Sequence, residues 1–220
     1  MEVFQNNKKG ENMNQYFENS NLESEIKENY VKVKDTEFYM YTDNGVFNKK
    51  GLDFGTRVLL ENIVLNNKKT FLDVGTGCGP IGFYILLNVP NSVVDMVDVN
   101  NRAIKLTKMG LKKNNITGNV FNSDAYSNID SKYDMIITNP PIHSGKDKVY
   151  EIIRGSVNHL NDNGELWIVI RKDQGAKSLI SDNSDLFDFD IIDRIKGFWI
   201  IRGLRKIKKS NIFLETNWHN

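Results

Sequence analysis

The chain has 220 residues, of which 40% are hydrophobic and 26% charged, and its formal net charge is +1. These values are typical of one globular domain, and the balanced charge gives no overall sign of nucleic-acid binding. The single cysteine, Cys78, excludes an internal disulfide, and no apolar run approaches the roughly 18 residues of a membrane helix. The first residues lack the apolar region of a secretory signal, so the cytoplasm is the expected location.

Composition divides the chain into three parts. Residues 1–28 are rich in Asn, Glu and Lys, and we expect them to be flexible, with Met13 as an alternative start. Residues 29–207 are expected to form one domain, and residues 208–220 a tail. The domain opens with a predicted hairpin, because Val31 and Val33 alternate with charged residues, a polar turn follows, and residues 38–42 can return.

Later in the chain, short apolar strands alternate with helices. A helix is predicted over residues 55–64, and others begin near Pro80 and Arg102; strands are predicted at residues 70–74, 92–97, 119–123, 133–138 and 165–170. Near the end, Phe187, Phe189 and Ile191 alternate with aspartates, and residues 198–201 can pair back as a hairpin. The order predicts an α/β fold, a mostly parallel sheet with helices on both faces and an antiparallel hairpin at the C-terminal end.

A glycine-rich segment, DVGTGCGPIG from Asp73 to Gly82, lies where a strand ends and a helix begins. Glycines there let the backbone turn sharply and approach a ligand closely. The segment also matches the dinucleotide pattern GxGxxG, and a plain glycine turn is a further alternative. Asp73 favours S-adenosylmethionine, because a carboxylate suits its cationic ammonium group and not a pyrophosphate. About seventy residues precede the loop, whereas a dinucleotide-binding dehydrogenase usually opens with it.

Two more aspartates follow predicted strands. Asp98 can accept hydrogen bonds from both ribose hydroxyls of a nucleoside, or it can cap the next helix. Asp124 can accept a hydrogen bond from an adenine amino group, or it can be a solvated turn residue. Both residues fit a nucleoside cofactor.

The fourth strand of the alternating series ends in TNPPIH, from Thr138 to His143. Neither proline can donate a hydrogen bond, so carbonyl groups and the Asn139 side-chain oxygen can accept from an exocyclic NH2 group. Such bonds would turn the nitrogen lone pair toward a methyl sulfonium, which is catalysis by positioning and electrostatics. The alternative is a proline-stiffened surface turn.

In their order, the segments DVGTGCGPIG, VDVN, SDAYS and NPPIH resemble the "methyltransferase small" family of class I methyltransferases. That family includes the bacterial small-subunit ribosomal RNA guanine-N2 methyltransferase. Upstream, GVF at 45–47 and LDFGTR at 52–57 look like segments of the same family, and residues 153–169 are similar to its later block. The resemblance spans residues 16–205 and implies the Rossmann-like class I methyltransferase fold, with seven strands.

The resemblance also implies roles for single residues. Asp73, Gly75 and Gly77 would bind the methionine part of S-adenosylmethionine, Asp98 the ribose, and Asp124 the adenine. Thr76, Val99 and Ala125 would complete this cofactor site, which Asn139 also borders. Asn139 and the Pro140 carbonyl would hold the target amino group in a catalytic loop of Asn139, Pro140, Pro141 and His143. The segment 54–57 would close over the cofactor.

The chain departs from the ribosomal RNA enzymes in two respects. We expect its 220 residues to leave no room for their second, degenerate half, and Ile142 stands where an aromatic residue often follows the prolines and could stack on a flipped base. His143 could contact substrate or pack locally, and no Cys/His cluster has metal spacing, so no metal is predicted.

Basic residues gather late in the chain, and they can be a solvated face or a track for RNA phosphates: Lys146, Lys148, Arg194, Lys196, Arg202, Arg205, Lys206, Lys208 and Lys209. The favoured function is N-methyl transfer to guanine N2 of small-subunit (16S) ribosomal RNA, with the RNA or the ribosomal subunit as partner. The alternatives are a protein-glutamine N5-methyltransferase and a non-catalytic protein that binds S-adenosylmethionine.

Overall fold

The computed structural model describes residues 23–48 and 50–206. These residues form nine strands and five α-helices. The strands are β1 (Lys27–Val33), β2 (Thr36–Thr42), β3 (Thr70–Val74), β4 (Val93–Asp98), β5 (Asn119–Asn122), β6 (Tyr133–Thr138), β7 (Leu160–Arg171), β8 (Phe187–Ile195) and β9 (Phe198–Arg205). The helices are α1 (Phe54–Asn62), α2 (Pro80–Asn88), α3 (Asn101–Lys113), α4 (Lys146–His159) and α5 (Ala176–Asp182).

Seven of these strands form one sheet in the order β5-β4-β3-β6-β7-β9-β8. The pairs from β5 to β7 are parallel, whereas β9 runs antiparallel to both β7 and β8. The predicted mostly parallel seven-stranded sheet with an antiparallel C-terminal hairpin is therefore confirmed.

Helices cover both faces of the sheet, as predicted. Neighbouring residues of β6 show the two faces, because Met135 and Ile137 pack in one core cluster and Ile136 in the other. The first cluster includes residues of α1, α2 and α3, and the second includes residues of α4 and α5. Burial of β6 on both faces explains the unbroken apolar stretch Met135 to Ile137 in its sequence.

The hairpin of β1 and β2 forms a separate two-stranded sheet. Phe38 packs edge to face on Phe83 of α2, with the ring centroids 6.0 Å apart. The Asn114 side chain, just after α3, accepts from the Tyr39 N–H and donates to the Tyr39 carbonyl, both at 2.7 Å. The hairpin therefore packs against α2 and is hydrogen-bonded at the end of α3, two helices of the first core cluster.

Several boundaries differ from the sequence predictions. β7 begins at Leu160, five residues before the expected start, because Leu160 pairs with Tyr133 across an irregular register. The segment expected to be flexible extends to residue 28, yet β1 begins at Lys27, and the Asp43 carboxylate accepts from the Ser24 hydroxyl and the Glu25 N–H. The expectations for residues 1–22 and for the tail at 208–220 fall outside the described residues. In the described part of the chain, none of the helices combines the length and apolar character needed to span a membrane.

Candidate active site

A cavity of about 220 Å³ opens at the carboxyl ends of the parallel strands. It lies above the point where the chain, after running outward through β3, β4 and β5, crosses back to β6. In open α/β sheets, ligands bind at such a switch point. We call its walls the β3–β5 side, which includes Gly75, Gly77, Asp98, Val99, Asp124 and Ala125, and the β6–β9 side, which includes Asp53, Asn139, Pro140, Pro141, His143 and Phe198.

The glycine loop follows β3 directly. Gly75 and Gly77 have positive φ angles of 74° and 56°, and a Cβ atom at either position would meet no atom within 4 Å. The amides of Gly75 and Thr76 both donate to the Val97 carbonyl at 2.9 Å, which folds the loop over the end of β4. The loop therefore presents open space to the cavity at two glycines whose backbone conformation disfavours other residues.

Asp73 lies beneath this loop and does not line the cavity. Its side chain is fully buried, its Oδ2 accepts from the Thr76 hydroxyl at 2.6 Å, and its Oδ1 has no hydrogen-bond partner in the described structure. Burial raises the pKa of Asp73 to about 7, although the Thr76 hydrogen bond acts in the opposite direction. In this conformation the carboxylate braces Thr76 in the loop.

Asp98 lines the cavity at the end of β4. Its two oxygens accept from the amides of Gly77 and Asn100, both at 2.8 Å, while burial raises its pKa. The alternative role as a helix cap belongs to Asn100, whose side-chain oxygen accepts from Arg102 N at 2.9 Å. Carboxylate oxygens have further lone pairs, so Asp98 can still accept from a ligand.

Asp124 and Ala125 form the far end of the β3–β5 side. Asp124 is exposed, and its Oδ1 accepts from Lys148 Nζ at 2.7 Å, so it is an ion-paired turn residue. Ala125 is buried and has a φ of 46°, a conformation that few residues other than glycine adopt. Val99 lies in the same wall, next to Asp98.

The NPP loop forms the β6–β9 side. The Thr138 hydroxyl donates to the Val74 carbonyl at 2.8 Å, which joins the ends of β6 and β3. The Pro140 carbonyl accepts from the Ile142 amide at 2.9 Å, and the Pro141 carbonyl accepts from Ser144 at the same distance. The Pro140 carbonyl, expected to hold the target amino group, therefore already accepts one hydrogen bond within the turn.

Asn139 is oriented by residues far away in sequence. Its Nδ2 donates to Asp53 Oδ1 at 3.2 Å and to Thr56 Oγ1 at 3.0 Å. The same Asp53 oxygen caps α1 by accepting from the Thr56 amide at 3.0 Å. Because both amide hydrogens are directed at these partners, the Asn139 Oδ1 is the end of the side chain that can accept from a ligand.

Asp53 was not among the site residues predicted from the sequence, although it lies within the family-like segment LDFGTR at 52–57. An aspartate three residues before Thr56 and ahead of a helical apolar pattern is a helix-cap signal. Its second contact, with Asn139, spans 86 positions and has no sequence signal. Phe47, Arg171 and Phe198 are further cavity residues that sequence reasoning did not find.

His143 lies in a short 3-10 turn, Ile142–Ser144, at the cavity mouth. Its side chain is exposed, which favours substrate contact over packing. Among the described residues, no cluster of three or more His, Cys, Asp or Glu side chains could hold a metal ion.

Many of the late basic residues have acidic partners. Ion pairs join Lys146 to Asp182, Lys148 to Asp124 and Glu151, Arg202 to Asp190, Arg205 to Asp162, and Lys206 to Asp188. Arg194 lies over the Trp199 ring and Lys196 over the Phe54 ring. Lys208 and Lys209 lie outside the described residues. These pairings favour the solvated-face interpretation for most of the group.

A seven-stranded sheet with an antiparallel last strand, a glycine loop after the first parallel strand and an aspartate after the second define a class I methyltransferase. More narrowly, the chain belongs to the methyltransferase small domain family, whose model matches residues 37–202. The family and the enzyme class predicted from the sequence are both confirmed.

Relatives of this chain fall into two groups. An uncharacterized protein of Bacillus subtilis, YbxB, is 38% identical over 85% of this chain and 96% of its own length. The ribosomal RNA small subunit methyltransferase C of Psychromonas ingrahamii is also 38% identical, over 67% of this chain but only 43% of its own length. This chain thus spans less than half of the named ribosomal RNA enzyme.

Among solved structures, the T. thermophilus 16S rRNA N2 G1207 methyltransferase, in complex with AdoMet and guanosine, aligns with a TM-score of 0.73. It is 18% identical and covers 84% of this chain and 52% of its own. At this identity the alignment supports the shared fold. Together with the family match, it supports the predicted cofactor, S-adenosylmethionine (AdoMet).

Proposed function

We propose that this chain transfers a methyl group from AdoMet to an exocyclic amino group, and that the acceptor is guanine N2 of small-subunit ribosomal RNA in the cytoplasm. The observation that carries the proposal is the orientation of Asn139, whose carboxamide oxygen is left to accept at the switch point of the sheet. The named relatives support the RNA substrate, because they are methyltransferases of small-subunit rRNA.

The β3–β5 side fits AdoMet. Gly75 and Gly77 leave room for close approach, and the half-buried Asp98 carboxylate is held by two amides while retaining lone pairs for the ribose hydroxyls. Asp124 and Ala125 lie where the adenine would end. We assign Asp73 an indirect part through Thr76, since its side chain does not reach the cavity.

The chemistry needs positioning more than acid or base. Bound AdoMet supplies an electrophilic methyl group on a sulfonium. The Asn139 oxygen accepts one N–H of the acceptor amine, which directs the nitrogen lone pair at that methyl carbon. After transfer of that methyl group the acceptor nitrogen would be cationic and would release a proton to water, so no residue of the chain is needed as a base. The NPP loop itself contributes fixed carbonyl dipoles near the developing positive charge.

The test is transfer of labelled methyl groups from AdoMet to separate pools of ribosomal RNA, small ribosomal subunits, DNA and protein. We expect label in the RNA of one of the first two pools, and nucleoside analysis should identify it as N2-methylguanosine. Label confined to protein glutamine would contradict the RNA assignment. Binding of AdoMet without transfer to any pool would support the non-catalytic alternative.

A further inference from the structure

Beyond the cavity, on the β6–β9 side, two phenylalanine rings meet at the surface. Phe54, the first residue of α1, is 38% exposed and lies edge to face with Phe198, with the ring centroids 5.7 Å apart. Phe198 lines the cavity, whereas Phe54 is not part of its wall. The pair therefore extends the cavity wall outward, starting one residue after Asp53, which holds Asn139.

The position of this pair is built into the fold. A Cβ atom at Gly55 would come within 2.8 Å of the Phe198 ring, so glycine lets the ring lie directly on the first turn of α1. The carbonyl of Gly197, the residue before Phe198, accepts a hydrogen bond from the Lys172 amide at 2.9 Å. The β8–β9 turn is thus held against α1 and against the end of β7.

Cations cover both rings. Arg171 lies over Phe198, with its Cζ 5.6 Å from the ring centroid, and its guanidinium is held by both oxygens of Asp173. Lys196 Nζ lies 5.3 Å from the centroid of Phe54 and makes no ion pair with the described carboxylates. A lysine on a flexible stem can leave the ring and bind a phosphate, so the exposed Phe54 ring can accept a base in its place.

From this arrangement we propose that Phe54, Phe198 and Lys196 form a stacking platform for a nucleotide of single-stranded RNA that flanks the methylated guanine. The base stacks on Phe54 and its phosphate meets Lys196. The NPP loop has Ile142 where an aromatic residue often follows the prolines, and the platform supplies an aromatic surface close to that loop. The inference rests on the proposed function for its substrate class, since the flanking nucleotide belongs to the RNA that enters the cavity.

Fluorescence anisotropy with a short labelled RNA containing one guanine tests the platform. Each flanking nucleotide is replaced in turn by an abasic one, and the protein is wild type or Phe54→Leu, which keeps an apolar contact with Phe198 but has no aromatic face. With wild type, one abasic substitution should weaken binding about tenfold, the scale of one base–aromatic stack. With Phe54→Leu, binding should already be weak and insensitive to that substitution, because the two changes remove the same contact.

Two variants serve as comparisons. Lys196→Gln should make the negative slope of log K against log salt shallower by about 0.7, as expected for one lost phosphate contact on a single strand. Tyr39→Ala removes an aromatic ring that also carries a lysine, Lys113 at 4.7 Å, but lies near the C-terminal end of α3, away from the cavity. We expect Tyr39→Ala to bind the unmodified RNA and each abasic RNA as wild type does.

Several results would overturn the platform: no detectable RNA binding by wild type, additive effects of Phe54→Leu and both abasic substitutions, or an equal loss in Tyr39→Ala. A matching loss of AdoMet affinity in Phe54→Leu would also overturn it, because it would show that Phe54 covers the methyl donor. Coupling between Phe54 and a flanking base, combined with no methylation of RNA, would uphold the platform and contradict only the proposed reaction.

Discussion

On the β3–β5 side of the cavity, backbone amides position the Asp98 carboxylate, whereas on the β6–β9 side other side chains position the Asn139 carboxamide. Asp98 is held by the amides of Gly77 and Asn100, which lie within the two strand-end turns that meet there. Asn139 is held by Asp53 and Thr56 from a helix more than eighty positions away. The difference implies that the first wall is specified by local motifs and the second by how α1 and the C-terminal hairpin dock.

If the second wall orients the acceptor, its loss should affect the reaction more than cofactor binding. We expect Asn139→Ala to lower the rate of methyl transfer by about 10²–10³, with AdoMet affinity within a few-fold of wild type. His143→Ala, at the same loop, should cost far less, because no base is required. Single-turnover transfer to ribosomal RNA or small subunits measures both. A near-normal rate for Asn139→Ala would show that the loop is only a turn.

The first wall should show the opposite pattern. Asp98→Ala removes a half-buried carboxylate and leaves two amides without an acceptor, so we expect AdoMet affinity to fall about 10- to 100-fold, the range for a hydrogen bond to a charged group. Calorimetry is the measurement. Asp124→Ala is the matched comparison and should lose less, because Asp124 is exposed and already paired with Lys148. Equal losses in the two variants would contradict this account of the wall.

Asp53 tests whether the second wall depends on a distant helix. Asp53→Ser keeps a good helix cap for the Thr56 amide, but its side chain is one atom shorter, so its hydroxyl no longer reaches Asn139 Nδ2, which is the longer of the two contacts at 3.2 Å. We expect kcat to fall about tenfold, since a net hydrogen bond is worth about 1 kcal/mol and orientation is lost with it. KM for AdoMet and the melting temperature should stay near wild type. A rise in KM with unchanged kcat would show that Asp53 serves binding instead.

The smallest expected effect is on the pH dependence of stability, and it comes from Asp73, which lies beneath the glycine loop. Folding raises the Asp73 pKa to about 7, so the folded chain binds an extra proton between about pH 4 and pH 7 and loses stability as the pH rises through that range. The wild-type free energy of unfolding, relative to that of Asp73→Asn, should therefore fall as the pH rises. Urea unfolding at several pH values measures it.

Asp134 provides a control of opposite sign. Burial acts to raise the pKa of Asp134, but hydrogen bonds from the Lys69 and Thr70 amides and from Asn161 lower it below its usual value. Its contribution to stability is present above the unfolded pKa and is lost as the pH falls. The wild-type advantage over Asp134→Asn should therefore grow as the pH rises. The same trend for both variants would contradict the raised pKa of the buried Asp73.

The sequence by itself determined those features of the protein that depend on residues close together along the chain. Buried parallel strands are short and mostly apolar, so β3 and β6 were predicted with the bounds they have. Glycines and aspartates at strand ends converge wherever parallel strands share an edge, so Gly77, Asp98 and Asn139 were placed in one cavity.

Only the tertiary structure decided which alternatives hold. It assigned the helix cap to Asn100 instead of Asp98, placed Asp73 beneath the loop, and paired Asp124 with Lys148. It also brought Asp53 to Asn139 and Phe198 to Gly55. Contacts of this kind depend on how a helix or hairpin docks on the sheet. Docking is set by packing over many residues, so no local spacing in the sequence encodes it.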